Sequence, residues 1–242
     1  MMRYKITIEY DGTNYLGWAG SIDRAIEIAL LKLTGENVRV YGSGRTDTGV
    51  HAMGQVAHFD LNKEFTTKNV ITGTNHFLNK NNDMITIVEC EMVQNDFHAR
   101  FSAIKRRYMY RILNREQPST LDKNRVWHIH KPLNLNTMQE CLPLLVGKKD
   151  WSCFRASDCQ SKSPIKTIDK VDLLQNGNEI IFTIEAKSFL YHQVRNIVGT
   201  LVDVGLEKKS VKNFEDIILS KNRSMAGKTA FSGGLYFTKV EY

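Results

Sequence analysis

Asp47 sits in the run Gly44–Phe59, GRTDTGVHAMGQVAHF, with Arg45 two residues before it, a threonine on either side and Gly49 two residues after. A carboxylate beside an arginine is expected to stay ionised at neutral pH, because the cation favours the charged form. An ionised carboxylate can act as a nucleophile. Glycines at 42, 44 and 49 allow the loop backbone to come close to a ligand. An ordinary polar hairpin loop has much the same composition, so the chemistry must be weighed with the rest of the chain.

Three further segments carry chemistry. Between His98 and Arg111 the run HARFSAIKRRYMYR holds Arg100, Lys105, Arg106, Arg107 and Arg111 and no acid. If residues 103–113 form a strand, period two puts Arg106, Tyr108 and Tyr110 on one face and Lys105, Arg107 and Arg111 on the other. Arginines pair with phosphates and an aromatic ring stacks on an unpaired base; the plain alternative makes both tyrosines core residues with hydroxyls at the rim. In FLYHQVRNIVG, residues 189–199, helical spacing gathers Leu190, Val194, Ile197, Val198 and Leu201 into one stripe, which sets Arg195 beside or within an apolar surface. A buried arginine needs a carboxylate partner. Asp47 is the candidate, unless Arg195 snorkels to solvent. The serine-rich run RASDCQSKSP, with Arg155 and Lys162, suits contact with a backbone phosphate and equally suits a surface loop.

Two other patterns lead nowhere. His128 and His130 form a His-x-His pair without a third ligand at useful spacing. Asp47-Thr48-Gly49 spells the triplet of aspartic proteases, whose chemistry needs two carboxylates sharing one proton. The chain has no second such triplet, and Arg45 opposes the shared-proton state.

These residues must be held by elements that the hydrophobic periodicity outlines. Tyr4, Ile6, Ile8 and Tyr10 alternate with polar residues and predict a strand ending at the Asp11-Gly12 turn. The spacing predicts a helix over 21–33, with Ser21 as its N-cap and Gly35 as its stop. A short strand at 38–41 enters the Asp47 loop and one at 54–59 leaves it. A helix after Thr67 and strands near 84–93 and 103–113 complete a first half. The second half is expected to hold a helix at 136–146 disturbed by Pro143, strands near 166–174 and 179–187 around a turn at 175–178, helices at 190–204 and after Ser210, and a closing strand at 235–240. Hairpins mixed with helices predict an α+β fold, not a regular βαβ alternation. The seam is expected at residues 123–132, dividing the chain into 1–122 and 123–242.

The 242 residues, 42% of them hydrophobic, are ample for a buried core and predict a soluble globular protein. Lys and Arg number 33 against 26 acids, a formal charge of +7 that favours a polyanionic partner. Four scattered cysteines make neither a disulfide scaffold nor a zinc site, so a reducing cytoplasm is the simplest home. The opening residues alternate instead of forming a signal-peptide core, and no stretch reaches membrane-spanning length.

Taken together, KITIEYDGTNYLGW, GRTDTGVHAMGQVAHF, FHARFSAIKRRYMYRI, FRASDCQSKSPIKTI, FLYHQVRNIVGTLVDVG and the closing GLYF resemble the tRNA pseudouridine synthase A family, in family order and over almost the whole chain. The resemblance implies isomerisation of uridine to pseudouridine at positions 38–40 of the tRNA anticodon stem-loop, by a homodimer, without metal or organic cofactor. It implies the pseudouridine synthase fold, two similar α+β halves with mainly antiparallel sheets flanked by helices and a basic cleft between them. It makes Asp47 the catalytic aspartate, Tyr108 the active-site tyrosine, Arg195 the basic partner of the aspartate and Arg45 a helper in displacing the base. Arg100, Lys105, Arg106, Arg107, Arg155 and Lys162 are the expected RNA-binding residues. Two departures stand out. Ala19-Gly20 leads almost directly to Ser21 where the family usually has a glutamine-containing loop, and Thr229-Ala230-Phe231 stands where Ala-Pro-Ala is usual. A non-catalytic RNA-binding or chaperone protein on the same fold is the alternative reading.

Overall fold

The computed structural model describes residues 1–242. In chain order the elements are β1 (Met2–Tyr10), α1 (Asp23–Thr34), β2 (Tyr41–Gly42), β3 (His51–Leu61), α2 (Thr67–Lys80), β4 (Ile85–Val93), β5 (Lys105–Asn114), β6 (Trp127–Ile129), α3 (Leu135–Glu140), β7 (Gly147–Asp150), β8 (Ile165–Asn176), β9 (Glu179–Ala186), α4 (Gln193–Gly205), α5 (Val211–Ser220) and β10 (Leu235–Glu241). They form two compact units: Met1–Ile104 with Tyr236–Tyr242, and Lys105–Leu235. The chain is α+β, as expected. No helix is long and apolar enough to cross a membrane.

In the first unit the alternation of β1 buries Tyr4, Ile6, Ile8 and Tyr10. The strand lies between β3 and β4, antiparallel to both, with Tyr4 opposite Phe59 and Met92. On the other side of β3, β2 pairs antiparallel at Tyr41–His58, and β10 pairs in parallel with Tyr236 opposite His51. With neighbours on both sides, β3 is buried along almost its whole length. The apolar stripes of α1 and α2 meet each other, and α2 also packs on β4. Thr66 caps α2 through the Asn69 amide, 3.2 Å, and Gly35 ends α1 as expected.

In the second unit β9 runs antiparallel to β5 on one side and to β8 on the other. β7 extends β8, and β6 adds to β5 in parallel. Helix α4 is buried on most of its circumference, including Asn196 and Thr200, and both α3 and α5 pack against it. Trp151, Phe154, Phe182 and Phe214 fill this core. Ser210 and Asn213 cap α5 reciprocally.

Several expectations shift. Ser21 does not cap α1: Gly20 (φ +79°) turns the chain, the Asp23 carboxylate accepts from the Gly20 and Arg24 amides at 2.7 Å, and the Ser21 hydroxyl accepts from Leu16 N instead. The short strand before the Asp47 loop shrinks to Tyr41–Gly42. The helix expected at 136–146 stops at Glu140, and Pro143 enters a separate 3₁₀ turn, Leu142–Leu145. Parallel pairings of β10 and β6 accompany the antiparallel majority. The seam lies at 104/105, not in 123–132, because β5 pairs over eight residues with β9 while β10 returns to β3.

Candidate active site

Asp47 stands on a loop between β2 and β3 that the first unit braces from several directions. At its entry the Ser43 amide donates to Val56 O (2.7 Å) and its hydroxyl to Gln55 Oε1 (2.6 Å), while Gln55 Nε2 donates to Gly44 O (2.9 Å). Next to Asp47, the Thr46 hydroxyl shares a hydrogen bond with the Tyr10 hydroxyl (2.8 Å) and Thr46 O accepts from Trp18 N (3.1 Å). Beyond it, Asp47 O accepts from Val50 N (3.1 Å), the Thr48 hydroxyl donates to Leu16 O (3.1 Å) and Gly49 N to Tyr15 O (3.3 Å). Asp47 is half-buried and Arg45 exposed. The loop thus carries its carboxylate near the surface on a backbone fixed by buried partners. Burial pushes the Tyr10 hydroxyl well above its ordinary pKa, so it stays protonated in this network.

The second unit carries the basic run from Lys105 onward and the other two segments, while Arg100 belongs to the first. Period two holds along β5: Arg106, Tyr108 and Tyr110 alternate inward as a buried face. Tyr110 is fully buried, and its hydroxyl donates to Phe231 O at 2.5 Å. Tyr108 keeps 8% of its surface exposed, and its ring stands edge-on to Phe189 at 5.2 Å. Arg195 projects half-buried from α4, and its Nε donates to Ala230 O (2.9 Å) while the Ala230 amide donates back to Arg195 O (3.1 Å). Arg195 therefore has a backbone partner in the segment Thr229-Ala230-Phe231.

The expected RNA-binding residues differ in their surroundings. Arg106 is buried and donates to the carbonyl of Lys187. Lys105 and Arg107 both lie on Glu185 of β9, at 3.4 Å and 2.5 Å. Burial raises the pKa of that carboxyl, but the two cations outweigh it and hold the group below the usual carboxylate range. Arg155 folds back on its own loop, donating to the carbonyls of Cys159 (2.9 Å) and Ser161 (2.8 Å). Arg100 and Lys162 are exposed, and the Arg100 guanidinium lies over the Phe101 ring at 5.9 Å. His128 Nε2 is hydrogen-bonded to Arg115 O.

The family described as tRNA pseudouridine synthase matches residues 6–102 and 142–242, which hold the Asp47 loop and Arg195. The chain belongs to the tRNA pseudouridine synthase family. It is an isomerase, converting uridine to pseudouridine in tRNA. A tRNA pseudouridine synthase A of Ehrlichia chaffeensis (strain Arkansas) is 49% identical over 247 residues, covering 100% of both chains. One of Ehrlichia ruminantium (strain Gardel) is 48% identical over the same span and coverage. A solved structure titled "Crystal Structure of a Cbf5-Nop10-Gar1 Complex" is alike over 98% of this chain at 11% identity and a TM-score of 0.41; the match spans 48% of that chain, about half its length.

Asp47 and Arg45 thus belong to the first unit of this pseudouridine synthase, Tyr108 and Arg195 to the second. Tyr10 and Gln55 support the Asp47 loop from outside its GRTDTG stretch. Their one signal in the sequence is a polar group inside an apolar pattern: Gln55 within the apolar run of β3, and the hydroxyl of Tyr10 at the inward end of β1.

Proposed function

We propose that this tRNA pseudouridine synthase acts on uridines 38–40 of the anticodon stem-loop, with Asp47 as its nucleophile. One observation carries the reading: the only acid of the GRTDTG loop sits half-buried on a backbone braced on both sides, in a chain whose family makes pseudouridine. In the reaction the N1–C1′ bond breaks, the uracil turns, a C5–C1′ bond forms, the C5 hydrogen leaves as a proton and N1 takes up a proton. The base must leave the stack to do this. Attack by Asp47 at C6, attack at C1′ and assistance to elimination at the sugar all need the ionised carboxylate.

In this reading Tyr108, kept slightly open beside Phe189, stacks on the uracil and takes part in removal of the C5 proton. Arg195 serves as the cationic partner of the aspartate, and Arg45, exposed near Asp47, displaces the target base. Arg100 and Lys162, the exposed members of the basic set, hold phosphates. The enzyme works in the cytoplasm as a homodimer; light scattering checks the assembly, and a fully active monomer would remove the dimer from the reading. The decisive assay uses tRNA tritiated at uracil C5, with sites mapped by sequencing. Asp47→Asn should lower tritium release by at least roughly 10³-fold while tRNA affinity stays within about threefold. Substantial residual turnover would sink the nucleophile, and pseudouridine formed outside 38–40 would sink the site.

A further inference from the structure

Two peptide planes flank Asp47, and both are tied down. The plane before it contains Thr46 O, which accepts from Trp18 N, and the plane after it contains Asp47 O, which accepts from Val50 N. The Thr46 side chain adds a second tether beside the first plane: its hydroxyl meets the Tyr10 hydroxyl at 2.8 Å inside the unit. Tyr10 is 3% and Gln55 0% exposed. Gln55 spends its amide on the same loop from the other end: its oxygen accepts from the Ser43 hydroxyl and the Val56 amide, and its nitrogen donates to Gly44 O. None of these groups is placed to touch a substrate. Together they hold the backbone from which the Asp47 side chain extends.

We propose that Tyr10 is a positioning residue of the pseudouridine synthase reaction, acting through Thr46 to hold Asp47 at its angle of attack. This rests on Asp47 being the nucleophile. The chemical need is clear, since a nucleophile displaced by a fraction of an ångström loses rate without losing the substrate. Binding of the large tRNA depends on many other contacts, so the effect falls on the chemical step.

The test compares Tyr10→Phe, Thr46→Val and Thr46→Ser with the wild-type enzyme and Asp47→Asn. The measurements are single-turnover tritium release, Kd for tRNA and thermal midpoint. Tyr10→Phe keeps the ring and removes one oxygen, so it preserves the packing of β1. The expected result is a single-turnover rate about 10- to 100-fold lower for Tyr10→Phe and Thr46→Val. Kd and thermal midpoint should stay close to wild type, and Thr46→Ser, which keeps the oxygen, should recover most of the rate. If Tyr10→Phe and Thr46→Val release tritium at the wild-type rate while Asp47→Asn is inactive, the positioning role falls and the nucleophile stands. If the rate falls only in step with Kd or thermal midpoint, or Thr46→Ser fails to recover it, the residues are merely structural. If Asp47→Asn itself turns over, the nucleophile reading falls and takes the positioning role with it.

Discussion

Gly17 has a φ of +106°, and a Cβ built on it would lie 2.3 Å from Thr46 O, the same oxygen that accepts from Trp18 N. Any other residue there meets backbone strain and pushes on the peptide that leads into Asp47. Gly17→Ala is expected to cost about 1–3 kcal/mol of stability, read by urea unfolding, and to slow tritium release in the molecules that remain folded. Unchanged stability and rate would show that the turn can relax. At this scale the sequence pointed to the acid proposed as the nucleophile but not to what holds its loop. Asp47 announces itself by its neighbours along the chain, whereas the Tyr10–Thr46 hydrogen bond closes over 36 residues. Periodicity places Tyr10 inward and says nothing of what its hydroxyl meets. The basic run 105–107 was legible as charge, but its partner Glu185 lies on a strand 78 residues away from Arg107.

Among the elements, β1 and β3 are stapled by one ion pair. Arg3 donates to both oxygens of Asp60, at 2.7 Å and 2.8 Å, and through Nη1 to the carbonyls of Asn95 (2.6 Å) and Phe97 (2.7 Å). The hydrogen bonds from Arg3 hold the Asp60 carboxyl below the usual carboxylate range. A depressed folded pKa means that the unfolded chain takes up the proton first. The stabilisation is therefore whole above the unfolded value, about 4, and is lost as pH falls through the lower folded value. Wild type should exceed Asp60→Asn in stability near neutrality, with the gap closing below about pH 4; urea midpoints across pH read this, and parallel curves would deny it. A second element-scale prediction concerns α4. A Cβ at Gly199 would lie 1.8 Å from Lys228 O, so Gly199→Ala should destabilise by roughly 1–3 kcal/mol, checked by thermal unfolding. The alternation of β5 was readable because a half-buried strand writes period two into its own residues. The choice of β9 as its partner, and so the place of the seam, is written in no local pattern.

For the whole molecule, a charge of +7 and an acid-free run around Arg100 predict tRNA binding that weakens by about tenfold or more between roughly 50 and 200 mM salt, as filter binding would measure. Salt-independent affinity would place binding on other forces. A chain cut before Tyr236 should lose the first unit's fold while residues 105–235 stay protected, since that unit includes Tyr236–Tyr242 and is tied by Glu241 O to Ile104 N and by the Tyr242 hydroxyl to Ala99 O. Limited proteolysis distinguishes this from a cut that leaves both units resistant. The same returning strand sets an order on the ribosome. Residues 1–104 emerge first but wait without β10 until all of 105–235 has been made. Of the two units, the one whose larger part is made earlier is the later to close, and the Asp47 loop completes its support only after residues 105–235 can already have folded.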